Sequence, residues 1–408
     1  MPTQNPTTSN QRIAAIDGLR GFALLGIVIV NAMFFALPLT FSDTADLGSM
    51  SILDQCARMS VMMFAEGKFI SIFSMLFGAG LAIQYQSAIN ANKEFYPFVY
   101  RRLAVLAVFG LAHAIFLWYG DILFIYACIG SLVVLGISGS TKQLLRASLI
   151  LLVIGTLILT FVVTSFGTEA QDYTPMEQKF GIAAIEATEV NPDHPMYVAA
   201  ETAAHTDGPF LDALAFRLTH YMIVLTLVFV MCWTVAGMFC LGAALWKSGF
   251  LNGNGPGAEW RTTGIWCGFL IGLPLEMMQA YVIQYSSSPI LITCGFAMHA
   301  LSGPLLALGT VSLFVVLTEK KRLPGIGYLA AVGRMSLTAY LLESVLFVFI
   351  TDWWGLGLFG RMGYAELLLV AVIVYVVVVL LCVAWQKFFR MGPMEWLWRS
   401  ISYLRVKA

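Results

Sequence analysis

The sequence predicts an all-α fold: a polytopic membrane helix bundle of about ten transmembrane helices, with both termini in the cytoplasm. Composition is the first reason, because 59% of the 408 residues are hydrophobic and 11% are charged, against about 25% charged in a soluble domain. The second is the presence of ten apolar stretches long enough to cross a bilayer. The third is the uneven distribution of Lys and Arg along the chain.

The ten stretches divide the chain into two halves around one long loop. They lie near residues 21–41, 69–86, 103–119, 122–137, 147–166, 221–246, 262–284, 290–317, 327–350 and 366–385. The resulting segments are a cytoplasmic start (1–20), a first half (21–166) with an interfacial amphipathic helix near 51–65, an external acidic loop (167–220), a second half (221–386) and a cytoplasmic tail (387–408).

The orientation follows from the basic residues. Seventeen of the 23 Lys and Arg residues fall in segments on the same face of the membrane as the N-terminus. Loops rich in Lys and Arg stay in the cytoplasm, so this face is predicted to be cytoplasmic. The loop 167–220 holds nine Asp and Glu against two basic residues, which is typical of an external cap. The apolar run after Arg20 exceeds a signal-peptide core of about 7–15 residues, so we expect it to remain as the first span.

The cysteines and the overall charge exclude some classes of protein. Six of the seven Cys lie in apolar stretches, so no disulfide framework is expected. The formal net charge is zero and no basic patch is interleaved with aromatics, so no nucleic-acid partner is expected. His194 and His205 in the long loop match no ligand spacing, and no metal is expected. Membrane lipids are the expected surroundings.

Two polar side chains are predicted deep in the membrane. Asn31 lies eleven residues beyond Arg20, roughly 16 Å along the first span, where its amide needs a partner inside the bundle. His113 lies ten residues beyond Leu103, roughly 15 Å deep. A neutral imidazole both donates and accepts, which suits a general base. The alternative for His113 is a packing role, bonded to a neighbouring side chain or carbonyl.

Charged residues at the predicted outer interface have two interpretations each. Asp121, just after Tyr119, either orients a catalytic His and polarises an acceptor hydroxyl, or caps the start of the fourth span. Glu66 and Lys68 would point about 200° apart on a continuous helix. They either contact a substrate or belong to an interfacial turn at Gly67.

Two charges are predicted inside the ninth span. Arg334 and Glu343 are nine residues apart, half a turn out of phase on one helix, so each needs its own partner. Arg334 either binds an anionic group from the cytoplasm or pairs with an acid such as Asp17. An unpaired Arg in lipid costs at least about 2.5 kcal/mol.

Three further arginines gather at the predicted inner surface: Arg20, Arg101 and Arg102. Topology signals and anionic lipid headgroups explain such residues without a substrate. The alternative is that they bind the phosphates of a cytosolic donor.

Several short motifs together resemble one known family. They are Ile16-Asp17-Gly18-Leu19-Arg20-Gly21 with Asn31, Glu66-Gly67-Lys68-Phe69 through Phe77-Gly78-Ala79-Gly80, Arg101-Arg102-Leu103 through Phe109-Gly110-Leu111-Ala112-His113, Gly120-Asp121-Ile122-Leu123, Gly333-Arg334-Met335-Ser336-Leu337-Thr338 and Gly392-Pro393-Met394-Glu395-Trp396. This set, from about residue 12 to 403, resembles the YeiB-like proteins, or domain of unknown function 418. That family is similar to transmembrane acyltransferases, which take an acyl group from cytosolic acyl-CoA and modify a sugar facing the other side.

The resemblance implies a role for each candidate residue in an enzyme of the bacterial cytoplasmic membrane. Acyl-CoA would be the donor, held through its phosphates by Arg20, Arg101, Arg102 and Arg334. Asn31 would position the thioester, and His113 would deprotonate a hydroxyl or amine acceptor, such as a sugar, arriving from the Asp121 side. Further substrate contacts would come from Asp17, Glu66, Lys68, Tyr119 and Glu343.

One departure bears on this mechanism. Family-3 acyltransferases carry an Arg on the first span, then ten residues, then a catalytic His, whereas Arg20 is followed at that spacing by Asn31. An amide cannot take a proton, so His113 becomes the candidate base. Two other classes stay open: a small-solute transporter that uses charges such as Arg334 and Glu343, and a non-catalytic protein that retains the acyltransferase scaffold.

Overall fold

Apolar composition fixes a helical architecture, because backbone groups in lipid must be satisfied within the chain. The computed structural model describes residues 9–38, 50–166, 195–253 and 255–403. Its α-helices are α1 (Ser9–Ala36), α2 (Ile52–Phe64), α3 (Lys68–Asn90), α4 (Tyr96–Phe116), α5 (Leu123–Gly136), α6 (Thr141–Phe166), α7 (Pro195–Thr206), α8 (Phe210–Lys247), α9 (Arg261–Trp266), α10 (Leu273–Tyr285), α11 (Pro289–Glu319), α12 (Ile326–Arg334), α13 (Ser336–Thr351), α14 (Tyr364–Gln386) and α15 (Pro393–Ser402). A 3-10 turn at Pro256–Trp260 and a π-helical segment at Cys267–Gly272 complete the regular structure of these ranges.

The all-α prediction is confirmed, and the chain is a multi-pass membrane protein. Among the described residues, eight helical segments are long and apolar enough to cross a membrane. The number rises to nine when the bent pair α12 and α13 is counted as one span. The fourth predicted span corresponds to α5, which has 14 residues and is shorter than those segments.

Helix α1 occupies the centre of the bundle. It packs against α3, α11, α12, α13 and α14, and Leu19, Ala23 and Leu24 have no exposed surface. Small residues on α1 let neighbouring helices approach closely, which is how helices associate in lipid. A Cβ atom at Gly21 would overlap the carbonyl oxygen of Leu329, and one at Gly333 would overlap that of Asp17. Helices α1 and α12 therefore meet backbone to backbone.

The predicted ninth span is not one helix, so the prediction of a continuous helix over 327–350 is wrong. Helices α12 and α13 bend by 89° at Met335, between Arg334 and Ser336. The carboxylate of Glu395, on α15, accepts hydrogen bonds from the backbone N–H groups of Leu337 (2.7 Å) and Thr338 (3.0 Å). It thereby satisfies donors that the start of a helix leaves unpaired. The half-turn phase relation between Arg334 and Glu343 fails for the same reason.

Other boundaries shift where tertiary packing outweighs local pattern. The predicted interfacial helix is α2, and Gly67, at φ +72°, makes the turn into α3. Helix α8 begins at Phe210, inside the stretch predicted as loop, and the predicted tail contains α15. His194, residues 1–8 and much of the loop 167–220 lie outside the described residues. The predicted cytoplasmic position of both termini stays a prediction.

Substituting Gly333 tests the α1–α12 contact. Gly333→Ala places a methyl group against the Asp17 backbone, and overpacking of this kind costs about 1–3 kcal/mol. We expect a lower midpoint of thermal unfolding for the detergent-solubilised protein, measured by loss of the monodisperse peak in size-exclusion chromatography. Gly327→Ala is the matched control on the same helix, because nothing lies within 4 Å of a Cβ there. Equal midpoints for the two variants would contradict the packing.

Candidate functional site

A cavity of about 350 Å³ with charged residues in its lining lies at the end of the bundle where α1 and α4 begin and α3 ends. Its mouth is formed by five charged residues from four helices, and its deeper walls are apolar. The charged residues are Asp17, Arg20, Arg102, Arg334 and Glu395. On α1 the lining runs from Asp17 to Ile27, which is about 15 Å of helix. We call this space the arginine cavity.

The cationic groups at the mouth are only partly neutralised. Arg20 Nη1 donates to Asp17 Oδ1 at 3.1 Å, so Asp17 pairs within its own helix. Arg334 Nε donates to the neutral amide oxygen of Gln386 at 3.0 Å. The guanidinium of Arg102 lies 4.1 Å from the ring centroid of Trp398. Among the described residues, neither Arg102 nor Arg334 forms a salt bridge with a carboxylate, so the mouth can bind an anion.

The depth of the arginine cavity is apolar, with a few polar atoms. Leu24, Phe77 and Leu106 belong to its walls, and Tyr340 lies at the deep end. The side-chain oxygen of Gln84, which also lines the cavity, is buried and has no hydrogen-bond partner among the described residues. That oxygen can accept a hydrogen bond from a ligand amide or hydroxyl. The cavity suits an elongated ligand with an anionic head and a largely apolar arm.

His113 lies beyond the deep end of the cavity in a hydrogen-bonded chain. Its Nδ1 is 3.1 Å from Asp121 Oδ1, and its Nε2 is 2.8 Å from Ser344 Oγ. The His113 and Asp121 side chains have no exposed surface. Asp121 Oδ2 also accepts the backbone N–H of Phe124 at 2.7 Å. The carboxylate therefore caps the start of α5 and also holds the imidazole of His113, while a catalytic role for the pair stays a prediction.

The hydrogen-bond inventory constrains the direction of this chain. A carboxylate only accepts, so Nδ1 of His113 donates to Asp121. A neutral ring then keeps its lone pair on Nε2, which can accept the hydroxyl hydrogen of Ser344, and the Tyr340 carbonyl oxygen, 3.2 Å from Ser344 Oγ, is a second acceptor for the same hydrogen. Nucleophile, base and orienting carboxylate stand in this order in hydrolases that use Ser, His and Asp. The arrangement can remove a proton from a hydroxyl.

The hydrogen-bonded residues His113, Asp121 and Ser344 lie close in the chain to residues that line the arginine cavity. Tyr340 lines the cavity and lies one turn before Ser344 on α13, so both share a helix face. Ile122, another lining residue, directly follows Asp121. The Tyr340 ring centroid is 5.0 Å from that of His113. Tyr340 therefore separates the His113 ring from the cavity.

Asn31 lies at about the level of Ser344 along the bundle, but it does not line the arginine cavity. It is half-buried and follows Ile27, a lining residue, by one turn on the same face of α1. One turn further, the Phe35 ring stacks on Trp118, at 4.1 Å between centroids, and on Phe347, at 5.1 Å. Asn31 thus stands between the cavity and the aromatic layer beside Ser344.

Three other predicted site residues lie away from the arginine cavity. Arg101 is exposed and its Nε donates to the Pro97 carbonyl oxygen at 3.3 Å, whereas its neighbour Arg102 faces the cavity. Tyr119 is buried, and its hydroxyl donates to the Phe34 carbonyl oxygen at 3.1 Å. Glu343 is fully buried next to Ser344, with one carboxyl oxygen lacking a partner among the described residues.

Lys68 belongs to a second buried polar cluster, on α3, α10 and α11. Its ammonium pairs with Glu276, which has no exposed surface, and donates to the Met62 carbonyl oxygen at 2.6 Å. Glu276 also accepts from Ser302 (2.8 Å) and contacts His299 (3.2 Å). Glu66, across Gly67, is likewise outside the arginine cavity. The structure thus separates these two predicted substrate contacts from the arginines.

Sequence reasoning missed several residues of these sites. Glu276 was detectable, because an acid inside an apolar stretch needs a buried partner. Ser344 carried no signal, since serines in membrane helices usually bond to their own backbone. Gln386 and Glu395 act through contacts with α12 and α13 from distant parts of the chain.

Comparison with known proteins places the chain in a family. Residues 245–405 match the family model described as "Protein of unknown function (DUF418)". Across 99% of its length the chain is 30% identical to YxaH of Bacillus subtilis (strain 168), covering 97% of that protein. Across 96% it is 29% identical to YeiB of Escherichia coli (strain K12), covering 96% of it. No solved structure matches. The chain belongs to the YeiB-like DUF418 family of membrane proteins.

Proposed function

We propose that this protein is an acyltransferase of the bacterial cytoplasmic membrane. It takes an acyl group from acyl-CoA and transfers it to a hydroxyl or amine near the outer face. The observation that carries the proposal is the nearness of the arginine cavity to the Asp121–His113 pair, which lies behind the lining residue Tyr340. A donor head bound at the mouth extends its arm toward a base that is already oriented.

The mouth has the chemistry that phosphate groups require. Arg20, Arg102 and Arg334 converge from three helices, and guanidinium groups bind phosphate oxygens through paired hydrogen bonds. Arg102 contacts the Trp398 and Phe98 rings and the Tyr403 hydroxyl, and Arg334 contacts the Gln386 amide, so none of these partners is a carboxylate that would compete with a phosphate. The basic end of the bundle is predicted to face the cytoplasm, where acyl-CoA occurs.

The deep end supplies the base. Asp121 orients the His113 ring, and the buried setting strengthens each electrostatic contact. His113 would take a proton from the attacking hydroxyl as it reaches the thioester carbonyl. Asn31, in the same layer, would donate its amide N–H to the carbonyl oxygen as negative charge develops there. A sugar or other acceptor would approach from the end that carries Tyr119 and Asp121.

A transporter is the second candidate, and one contact favours it. Ser74 Oγ and Tyr126 Oη lie 2.6 Å apart. Ser74 lines a separate cavity of about 120 Å³ beside His299, and Tyr126 lines the arginine cavity. The hydrogen-bonded pair of Ser74 and Tyr126 thus lines both cavities, one residue in each. If solutes cross there, Ser74→Ala would change the leak of labelled glucosamine from proteoliposomes, and the acyltransferase proposal expects no change.

Neutralising Arg102 tests donor binding. Arg102→Gln removes a charge-assisted hydrogen bond, worth about 1.5–3 kcal/mol, so the Kd for acetyl-CoA should rise at least ~10-fold. Isothermal titration calorimetry of the protein in nanodiscs measures the Kd. Arg101→Gln is the matched control, since this neighbour does not line the cavity, and its Kd should stay within about twofold of the unmodified protein. Equal Kd values for the two variants would contradict the proposed donor site.

Removing His113 tests the chemical step. His113→Ala should lower transfer of labelled acetyl from acetyl-CoA to acceptors in membrane vesicles by about 10²–10⁴-fold, with the Kd for acetyl-CoA nearly unchanged. Thin-layer chromatography of the extracted products measures the transfer. His299→Ala controls for loss of a histidine within the bundle, because His299 bonds to Glu276 away from the cavity. Undiminished transfer by His113→Ala would remove this residue from the mechanism.

A further inference from the structure

Ser344 is the hydroxyl that the His113 base already holds. Its Oγ lies 2.8 Å from His113 Nε2, inside the ~2.6–3.2 Å range of activated nucleophiles. The Ser344 side chain is 1% exposed, so water does not compete for this contact. No free acceptor can approach Nε2 without displacing this serine. The first hydroxyl available to the base therefore belongs to the protein.

We propose that Ser344 is a covalent nucleophile, so that acyl transfer proceeds through an acyl-serine. This inference rests on the proposed function and adds a catalytic residue and an intermediate to it. The order of the three side chains supports it, because Asp121 fixes Nδ1 as a donor and leaves Nε2 to accept the Ser344 proton at 2.8 Å, which is shorter than the 3.2 Å from Ser344 Oγ to its other acceptor, the Tyr340 carbonyl oxygen. Asp121 is a positioning residue in this scheme.

The first half-reaction consumes the donor. As the Ser344 hydroxyl proton moves to His113 Nε2, the Oγ–C bond forms at the thioester carbonyl. The C–S bond then breaks, and the leaving thiolate takes the proton from His113 to give the free thiol of CoA. The products are an ester on Ser344 and a neutral His113 ring, with atoms and charge balanced.

The second half-reaction transfers the acyl group onward. An acceptor hydroxyl gives its proton to His113 Nε2 and forms a bond to the ester carbonyl carbon. The bond from carbon to Ser344 Oγ breaks, and Oγ recovers the proton from His113. Serine, histidine and carboxylate return to their starting state. Two half-reactions let donor and acceptor approach from opposite ends of the bundle at different times.

The position of Ser344 relative to the arginine cavity supports acylation from the mouth. Tyr340 lines the deep end and lies one turn before Ser344 on the same face of α13. Leu106 lines the cavity two turns before His113 on α4. A donor arm that moves the Tyr340 side chain aside reaches the pair directly. The acyl carbonyl then lies in the layer that Asn31 also occupies.

The test is acylation of the purified full-length protein in nanodiscs, without acceptor. With labelled acetyl-CoA, and in parallel octanoyl-CoA, we expect one equivalent of free CoA per protein in an initial burst. Peptide mass spectrometry should place one acyl group on Ser344. The bond should resist acid and yield to alkaline hydroxylamine, as an oxygen ester does, whereas an acyl-imidazole on His113 would be lost in acid. This mapping requires no variant.

Variants separate a covalent role from a packing role. Ser344→Ala should abolish the burst and the label, and Ser344→Cys should restore a burst through a thioester. Ser312→Ala is the control, because this buried serine donates to the Leu308 carbonyl oxygen within its own helix, α11. Asp121→Asn keeps an oxygen for the α5 cap but presents N–H to Nδ1. It should slow acylation at least ~100-fold, as expected for a wrongly oriented base, while the Kd for acetyl-CoA stays unchanged.

The outcomes distinguish the inference from the proposed function. Transfer to acceptor at the unmodified rate by Ser344→Ala, or label on His113 instead, would overturn the acyl-serine and leave the acyltransferase standing. Failure of the unmodified protein to bind either acyl-CoA would overturn the acyltransferase, and the acyl-serine with it. A donor that binds without any burst or label would overturn the acyl-serine alone.

Discussion

The break between α12 and α13 is the constraint on which the candidate site depends. A straight helix would carry Arg334 and Ser344 along one axis through the bundle. The 89° bend instead places Arg334 at the mouth of the arginine cavity and turns α13 toward the depth. Two contacts hold it: Gly333 lies against the Asp17 backbone, and Glu395 caps the new helix start. The Glu395 carboxylate and the small residue Gly333 thus stabilise a helix break of the kind that proline causes in other helices.

The sequence was sufficient for the parts of the fold that lipid dictates. Apolar length and composition predict spanning helices because no other structure satisfies the backbone in hydrocarbon. Local pattern also predicted a helix at the position of α2 and the turn at Gly67. Local pattern does not predict the bend at Met335, because the residues Gly333-Arg334-Met335-Ser336 contain no proline. The carboxylate that stabilises the bend comes from Glu395, 60 residues later.

In the candidate site, too, some features follow from the local sequence and others depend on packing between distant helices. Orientation of a catalytic His was one of two interpretations for Asp121, and the structure places its carboxylate on His113. The family resemblance grouped Arg20, Arg101, Arg102 and Arg334 as one set, and all of them except Arg101 line one cavity. The difference between Arg101 and Arg102 depends on which helix face meets α15, and contact with Ser344 depends on how α4 packs on α13. Neither follows from a linear pattern, because helix rotation in a bundle is set by neighbours.

The position of the base on α4, and not on α1, has a structural logic. An imidazole acts well as a base when a hydrogen-bond acceptor fixes the proton on its other nitrogen. One turn beyond Asn31 on α1, the neighbours are the stacked aromatic rings around Phe35, which offer no carboxylate for that purpose. On α4, the helix start of α5 already needs an acceptor, and Asp121 provides it. The second oxygen of that carboxylate orients His113, so no additional charged group has to be buried. In the proposed mechanism Asn31 would donate its amide N–H to an oxygen. Base and amide would then be divided between two helices, and the α4–α5 turn would couple the proposed chemistry to the fold.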